Sequence, residues 1–118
     1  MTHAALMSRV AQRDTTFALR DGHWNGKCLI CRGPLRFDAS TGQGATIEHI
    51  VPRCLGGTSD ERNLGIAHPR CNAEKGRRWD SGRLRQRDPM RYDAMVERML
   101  SERARRWREP GSQDTVHP

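Results

Sequence analysis

Two short motifs, CLIC at residues 28–31 and HPRC at residues 68–71, each place two metal-binding side chains three positions apart. At this spacing a turn points both side chains at one ion, and four such ligands suit tetrahedral zinc. The chain has 118 residues, of which only 35% are hydrophobic, so a single domain with a thin core would gain stability from a metal. The sequence therefore predicts a closed, structural zinc site formed by Cys28, Cys31, His68 and Cys71.

The sequence also allows other roles for the cysteines. Cys28 and Cys31 could be small buried hydrophobic residues, with His68 on the surface. Cys54 could replace His68 as the fourth ligand, but it has no cysteine or histidine partner three residues away, which favours a free thiol. Disulfides are disfavoured because we find no apolar run that could span a membrane and no secretory signal, so we expect a cytoplasmic protein.

The charge distribution indicates a polyanionic partner. Lys and Arg number 21 against 14 Asp and Glu, which gives a net charge of +7. Residues 70–108 hold thirteen basic and six acidic side chains, whereas the rest of the chain holds eight of each. A solvated helix face with local ion pairs would not need such an excess, so nucleic acid is the expected partner.

The hydrophobic and turn patterns predict a strand, a loop, a second strand and a helix in the middle of the chain. The first strand covers residues 45–51 and ends at Pro52, the second covers 63–67, and the helix covers 68–76. Residues 37–44 are rich in Asp, Ser, Thr and Gly and are predicted to be a loop, and a tight turn is predicted at Asn25 and Gly26.

Helices are also predicted near both ends. Residues 1–13 suit an amphipathic helix or a frayed arm. Asp88 and Pro89 form a typical cap and first helical position, so a helix is predicted from there to about Glu109, with an apolar face and arginines on the opposite face. Residues 111–118 are predicted to be a disordered tail.

Five short motifs follow one another between and around the two metal-binding motifs at residues 28–31 and 68–71, which we call the first and the second knuckle. They are Glu48-His49-Ile50-Val51-Pro52, Gly56-Gly57, Asn63-Leu64, the second knuckle, and Asn72-Ala73-Glu74-Lys75. Each motif is weak alone, but the ordered set resembles the HNH endonuclease family, in particular its zinc-stapled branch. The resemblance covers roughly residues 17–76 and implies an α+β fold: a small ββα-metal domain with a structural zinc knuckle, followed here by a basic C-terminal helix.

The resemblance implies a role for each polar residue of these motifs. His49 would be the general base, Glu48 and Asn72 would bind the catalytic metal, and Asn63 would brace the loop that orients His49. Phosphodiester hydrolysis needs such groups in any case: a base with a pKa near neutrality, and oxygen ligands that suit Mg²⁺ or Mn²⁺. Neighbours on a regular strand point to opposite faces, so Glu48 and His49 can serve one phosphate only if the strand ends or bends there.

The nucleic-acid contacts are expected from the cations around these motifs. Arg53 would clamp the scissile phosphate, with a simple loop cation as the alternative, and Arg77 and Arg78 would hold the backbone. For Lys75, a contact with the backbone phosphate and a purely structural place in the first turns of the helix are equally open. The implied domain division is an N-terminal arm or helix at 1–14, the nuclease domain at 15–80, a basic helical extension at 81–110 and the tail at 111–118.

The sequence thus predicts a metal-dependent endonuclease acting on DNA, most readily duplex DNA, with a divalent cation at the catalytic site and a separate structural zinc. Its small size is similar to phage-encoded members, which implies phage DNA processing or packaging in the host cytoplasm, alongside packaging proteins. A monomer would nick DNA, whereas a homodimer would cut both strands. The alternatives are a zinc-dependent nucleic-acid-binding module without catalysis and a zinc-stapled adaptor for protein partners.

Overall fold

The computed structural model describes residues 1–111, so the predicted tail, apart from Gly111, lies outside the described residues. In this part of the chain, no helix is both long enough and apolar enough to cross a membrane. The helices and strands, in chain order, are α1 (His3–Gln12), β1 (Ala18–Arg20), β2 (His23–Lys27), β3 (Pro34–Asp38), β4 (Thr46–His49), β5 (Leu64–Ala67), α2 (Pro69–Lys75), α3 (Arg83–Arg87) and α4 (Pro89–Arg105).

A β-hairpin and the helix after it form the centre of the fold. Strands β4 and β5 pair antiparallel, from Thr46 opposite Ala67 to His49 opposite Leu64. All four residues of β5 are buried, and α2 begins directly after it with Pro69 at the first helical position, where the missing N–H costs nothing. The predicted order of strand, loop, strand and helix is confirmed, and with it the α+β ββα fold.

A second antiparallel sheet, in the order β1-β2-β3, packs on the N-terminal side of this hairpin. Asp21 and Gly22 connect β1 to β2, and both have positive φ (51° and 76°), as a tight two-residue hairpin turn requires. The turn predicted at Asn25 and Gly26 is wrong, because both lie within β2. Gly26 is needed there for space, since a Cβ would overlap the ring of Phe17.

The loop predicted for residues 37–44 is wrong at its start. Phe37 and Asp38 are the last residues of β3, and Phe37 is 1% exposed. Its ring packs edge-on against Phe17, with 6.0 Å between the ring centroids, and it pairs with Trp24 across the sheet. One buried aromatic side chain extends the strand into an otherwise polar segment.

The two terminal helices both pack against the central elements. Met7, Val10 and Ala11 of α1 join the larger hydrophobic cluster, so residues 3–12 form a packed helix rather than a frayed arm. The cluster of α4 contains its residues Tyr92, Met95 and Met99 with Leu29 and Ile50. The Asp88 side chain accepts a hydrogen bond from the Arg91 N–H at 3.1 Å, which confirms the predicted cap, although α4 ends at Arg105. The predicted domain division stays a prediction.

Arg106, just after α4, lies inside the protein. Its guanidinium is 2.7 Å from the Glu102 carboxylate and 3.7 Å from Asp14, and its side chain is 3% exposed. It also donates to the carbonyls of Lys27 and Cys28, at 3.1 and 3.5 Å. Arg106 therefore ties the end of α4 to the segment that enters the first cysteine knuckle.

Arg103 is buried as well, at 1% exposure. It donates to the Arg13 carbonyl at 2.8 Å and to the Glu61 carbonyl at 3.1 and 3.3 Å. The expectation that the arginines of the C-terminal helix lie on one solvent face is wrong for Arg103 and, at its C-terminal end, Arg106. These two satisfy backbone oxygens and carboxylates that would otherwise be buried without a partner.

We expect Arg106→Met to lower the free energy of unfolding by about 3 kcal/mol, because it removes a buried guanidinium that pairs with the Glu102 and Asp14 carboxylates. Urea unfolding with zinc present measures this. Arg105→Met is the matched control, since Arg105 binds the same Glu102 carboxylate from an exposed position (side chain 72% exposed) and should change the stability far less. Equal effects of the two substitutions would contradict the assigned role of Arg106.

Candidate active site and metal centre

The four residues of the two knuckles come together as predicted. One sulfur or nitrogen atom from each of Cys28, Cys31, His68 and Cys71 lies within 4.8 Å of the other three. The His68 Nδ1 is 3.4 Å from the Cys31 Sγ and 3.7 Å from the Cys71 Sγ. A zinc ion bound tetrahedrally by sulfur and imidazole nitrogen separates its ligand atoms by about 3.6 to 3.8 Å, so the donor set and its spacing fit zinc.

Backbone N–H groups already point at the sulfur atoms. Ile30 N–H donates to the Cys28 Sγ at 3.4 Å, Gly33 N–H to the Cys31 Sγ at 3.3 Å, and His68 N–H to the Cys28 Sγ at 3.5 Å. Such donors stabilise thiolates, which are the form that binds a metal. The knuckle backbone is therefore shaped for a metal-thiolate cluster.

A backbone carbonyl holds the imidazole of His68 in place through the Nε2 atom. Its Nε2 lies 3.0 Å from the Pro34 carbonyl, which can only accept a hydrogen bond. The ring proton therefore belongs on Nε2, and Nδ1 turns its lone pair toward the three sulfur atoms. Histidine thus supplies the fourth ligand of a Cys3His site.

The pKa values of two thiols in this cluster are shifted in opposite directions. Burial disfavours the Cys31 thiolate, but hydrogen bonds from Gly33 and the neighbouring ligands outweigh it and lower the pKa of Cys31 to about 7. Burial and the nearby Cys28 raise the pKa of Cys71 to about 12. Several thiolates packed together repel one another, and a dication removes that repulsion. Cys54 is exposed and outside the cluster, in agreement with a free thiol.

A separate cleft lies at the end of β4. Glu48 and His49 are the last two residues of the strand, and both are still paired with β5. The cleft has a volume of 210 Å³ and is lined by Ile47, Glu48, His49, Pro52, Arg53, Asn72 and Asp80. It therefore brings Glu48, His49 and Asn72 together with one of the predicted phosphate ligands, Arg53.

Glu48 is an almost fully buried carboxylate, at 2% exposure. Its Oε1 is 2.9 Å from the Lys75 Nζ, whereas its Oε2 is buried and has no hydrogen-bond partner among the described residues. Burial raises the pKa of Glu48, and Lys75 acts in the opposite direction. The Asn72 Nδ2 donates to the Ile47 carbonyl at 3.4 Å, which leaves its Oδ1 as the atom available to a ligand.

These oxygens fit a hard divalent cation. Carboxylate and amide oxygens are the ligands that Mg²⁺ and Mn²⁺ prefer, and such ions keep several water or phosphate ligands besides. The partnerless Oε2 of Glu48 is the kind of atom that a cation would satisfy. Glu48 and Asn72 would therefore hold the ion from two adjacent elements, β4 and α2.

His49 is partly buried at the edge of the cleft, and the described residues give its imidazole no hydrogen-bond partner. Burial lowers the pKa of His49, and the nearby cations Arg53 and Lys75 lower it further. The ring is therefore neutral near pH 7, with a nitrogen lone pair that can accept a proton.

Asn63 fastens the loop that follows His49. Its Oδ1 accepts from the Val51 N–H at 2.9 Å, and its Nδ2 donates to the carbonyls of Val51 and Thr58 at 3.0 and 2.8 Å. Gly57 allows the loop to close, because any Cβ there would overlap the Val51 carbonyl. Asn63 thus lies where a brace for the His49 segment was predicted.

Comparison with known proteins agrees with this geometry: residues 28–78 match the family model described as HNH endonuclease. These residues belong to the HNH endonuclease family. The matched segment begins at the first zinc-site cysteine and ends just after α2, so it contains the Cys3His cluster and every residue that lines the cleft except Asp80. No curated protein and no solved structure matches the chain significantly.

The cations of the HNH domain differ in where they lie. Arg53, Arg77 and Arg78 are exposed, and Arg53 lines the cleft. Lys75 is only 3% exposed, and its ammonium contacts carboxylates and carbonyls of the protein. A contact between Lys75 and nucleic acid stays a prediction, and the structure places this residue among the supports of the cleft.

Asp80 is a cleft residue that the sequence patterns did not reveal. It follows α2 at the end of a π-helical turn, Gly76–Asp80, which brings its Oδ2 to 2.8 Å from the Lys75 Nζ. Its Oδ1 accepts a hydrogen bond from the Tyr92 hydroxyl at 2.9 Å. Burial raises the pKa of Tyr92, so the phenol stays protonated as a donor. In the sequence, Asp80 is one acidic residue in an arginine-rich stretch.

We expect Cys28→Ser to lose zinc and to unfold, because the folding of small metal domains draws on the metal-binding free energy. Metal analysis and far-UV circular dichroism of the purified variant measure this. Cys54→Ser is the matched control: the thiol is exposed and outside the cluster, so zinc and fold should both be kept. A folded, zinc-free Cys28→Ser protein would show that the cluster is not structural.

Proposed function

We propose that this chain is a metal-dependent endonuclease that hydrolyses phosphodiester bonds in duplex DNA. The observation that carries the proposal is the cleft, which brings the His49 imidazole together with Glu48, Asn72 and Arg53 at the end of β4. The family match of residues 28–78 and the excess of exposed arginines support the same conclusion.

In this proposal His49 is the general base. A neutral imidazole nitrogen takes a proton from the attacking water as the new P–O bond forms and the P–O bond to the leaving oxygen breaks. The leaving oxygen takes a proton from solvent water, and the protonated imidazole returns its own proton to solvent. The Arg53 guanidinium binds the non-bridging oxygens of the scissile phosphate. Asn63 acts through the backbone of residues 51–58 and keeps His49 in place.

Glu48 and Asn72 would hold the divalent cation in the cleft. When bound by these two residues, such a cation would supply positive charge opposite the phosphate and the leaving oxygen. Zinc in the Cys3His cluster has a different task, because four protein ligands leave no position open for substrate. The two ions are thus separated by the chemistry of their ligands: sulfur and imidazole in one site, oxygen in the other.

The biological setting belongs to the same proposal. The resemblance to phage-encoded members is what supports a role in phage DNA processing or packaging. One active site in a monomer would produce nicks, and a homodimer would produce double-strand breaks.

One observation favours a second function, that of a zinc-dependent nucleic-acid-binding module without catalysis. The Lys75 ammonium already neutralises Glu48, so this carboxylate does not require a divalent cation for charge balance. Such a module would keep the zinc cluster and the exposed arginines and would bind DNA without cutting it.

A supercoiled-plasmid assay tests the proposal. With Mg²⁺ or Mn²⁺ we expect wild-type protein to produce nicked or linear plasmid, and His49→Ala to reduce the rate by about 10²- to 10⁴-fold, as the loss of a general base does. The metal-free control omits the added ion and avoids a chelator, because a chelator would also remove zinc.

His3→Ala is the matched control for the histidine substitution, since His3 is exposed in the first turn of α1. It should cut like wild type. Plasmid that is retarded in a gel but left uncut by every protein would favour the binding module. Equal cutting by wild type and His49→Ala would refute His49 as the base.

The exposed arginines should determine the salt dependence of DNA binding. We expect Arg77→Ala and Arg78→Ala each to weaken duplex binding without changing sequence preference. Each should reduce the slope of log K against log salt concentration by about 0.9, the value for one lost phosphate contact. Fluorescence anisotropy over a range of salt concentrations measures the slope. Arg36→Ala, an exposed position on β3 outside the cleft, is the control, and an equal loss there would mean that the binding face is misassigned.

A further inference from the structure

Lys75 is enclosed by oxygen atoms at the base of the cleft. Its Nζ lies 2.9 Å from the Glu48 Oε1, 2.8 Å from the Asp80 Oδ2, 3.2 Å from the Ile50 carbonyl and 3.4 Å from the His49 carbonyl. The side chain is 2% exposed. A buried ammonium must be paired and hydrogen-bonded, and here the pairing is complete without any ion.

The two carboxylates around Lys75 differ in how firmly they are held. The Asp80 Oδ1 accepts from the Tyr92 hydroxyl at 2.9 Å, which fixes this carboxylate to α4. The Glu48 Oε2 has no partner among the described residues. Lysine has a flexible four-carbon stem, so the ammonium can shift between the two carboxylates with little backbone movement.

The local charge therefore depends on where Lys75 is held. Glu48 and Asp80 together carry two negative charges, and Lys75 cancels one of them. A divalent cation that binds the Glu48 carboxylate meets the positive charge of Lys75 on the same group. The cation binds Glu48 more tightly if the Lys75 ammonium moves away from Glu48 and pairs with a second carboxylate. Asp80 is already in contact with this ammonium.

We propose that Lys75 is the built-in counter-ion of Glu48, which a divalent cation displaces, and that Asp80 is the positioning residue that receives it. The pair formed by Lys75 and Asp80 thereby sets the affinity of the cleft for its cation. This inference rests on the proposed function, because it takes Glu48 as a ligand of the catalytic ion.

The test is a Mn²⁺ titration of zinc-loaded protein, followed by the electron paramagnetic resonance signal of free Mn²⁺, so that no cleavage needs to be measured. Asp80→Asn should weaken Mn²⁺ binding about tenfold, because Lys75 then stays on Glu48. Lys75→Met should strengthen binding about tenfold, because no internal cation competes. Combining Lys75→Met with Asp80→Asn should restore binding at least to the wild-type level.

The controls separate this effect from general charge and from misfolding. Lys27→Met removes the other lysine of the chain, which is exposed, and should leave Mn²⁺ affinity within about twofold, since screened surface charges contribute little. Glu48→Gln should abolish the site. Zinc content and circular dichroism check the fold of every variant. The double variant replaces the ion pair between Lys75 and Asp80 by neutral side chains, so it tests the proposal even if Lys75→Met alone does not fold.

Three results would overturn the inference. If wild type binds Mn²⁺ and the Lys75 and Asp80 variants bind it equally well, Lys75 does not compete, and the proposed nuclease function stands. If the double variant stays as weak as Asp80→Asn, then Asp80 contributes as a ligand in its own right, which also refutes the positioning role. If no variant, Lys75→Met included, binds Mn²⁺ through Glu48, both the inference and the proposed catalytic site fail.

Discussion

The cluster of Cys28, Cys31, His68 and Cys71 is the constraint on which the rest of the domain depends. It joins the turn before β3 to the start of α2. Cys28 in the turn and His68 at the helix start are 40 positions apart in the chain. Asn72 follows the last ligand directly, and Lys75 comes one helical turn later. Any movement of the cluster would therefore move the cleft residues that α2 supplies.

The helix α4 supports the same region from the other side. Arg106 donates to the carbonyls of Lys27 and Cys28, and Tyr92 donates to Asp80. The C-terminal part of the chain is thus a structural support of the cluster and of the cleft. Its exposed arginines add charge to a helix whose buried side chains already fix its position.

The sequence predicted the parts of the molecule that local patterns encode. Cysteine spacing identified the metal ligands, and Asp88-Pro89 identified the start of α4. Local patterns could not reveal Asp80, because its role comes from contacts with Lys75 and Tyr92 that only the folded chain creates. The burial of Arg103 and Arg106 could not be predicted for the same reason: in the sequence they look like the other arginines of the helix, and only their long-range partners place them inside the protein.

The two candidate ion sites differ in what they require of the fold. The Cys3His cluster brings three thiols and an imidazole together, a donor set whose thiolates repel one another until a cation such as zinc binds. In the cleft, by contrast, Lys75 lies against Glu48 and balances its charge. The fold therefore does not need an ion at Glu48 for charge balance. Charge balance thus distinguishes the two sites: a cation would relieve repulsion among the clustered thiolates, whereas the Glu48 carboxylate already has a cation of the protein beside it.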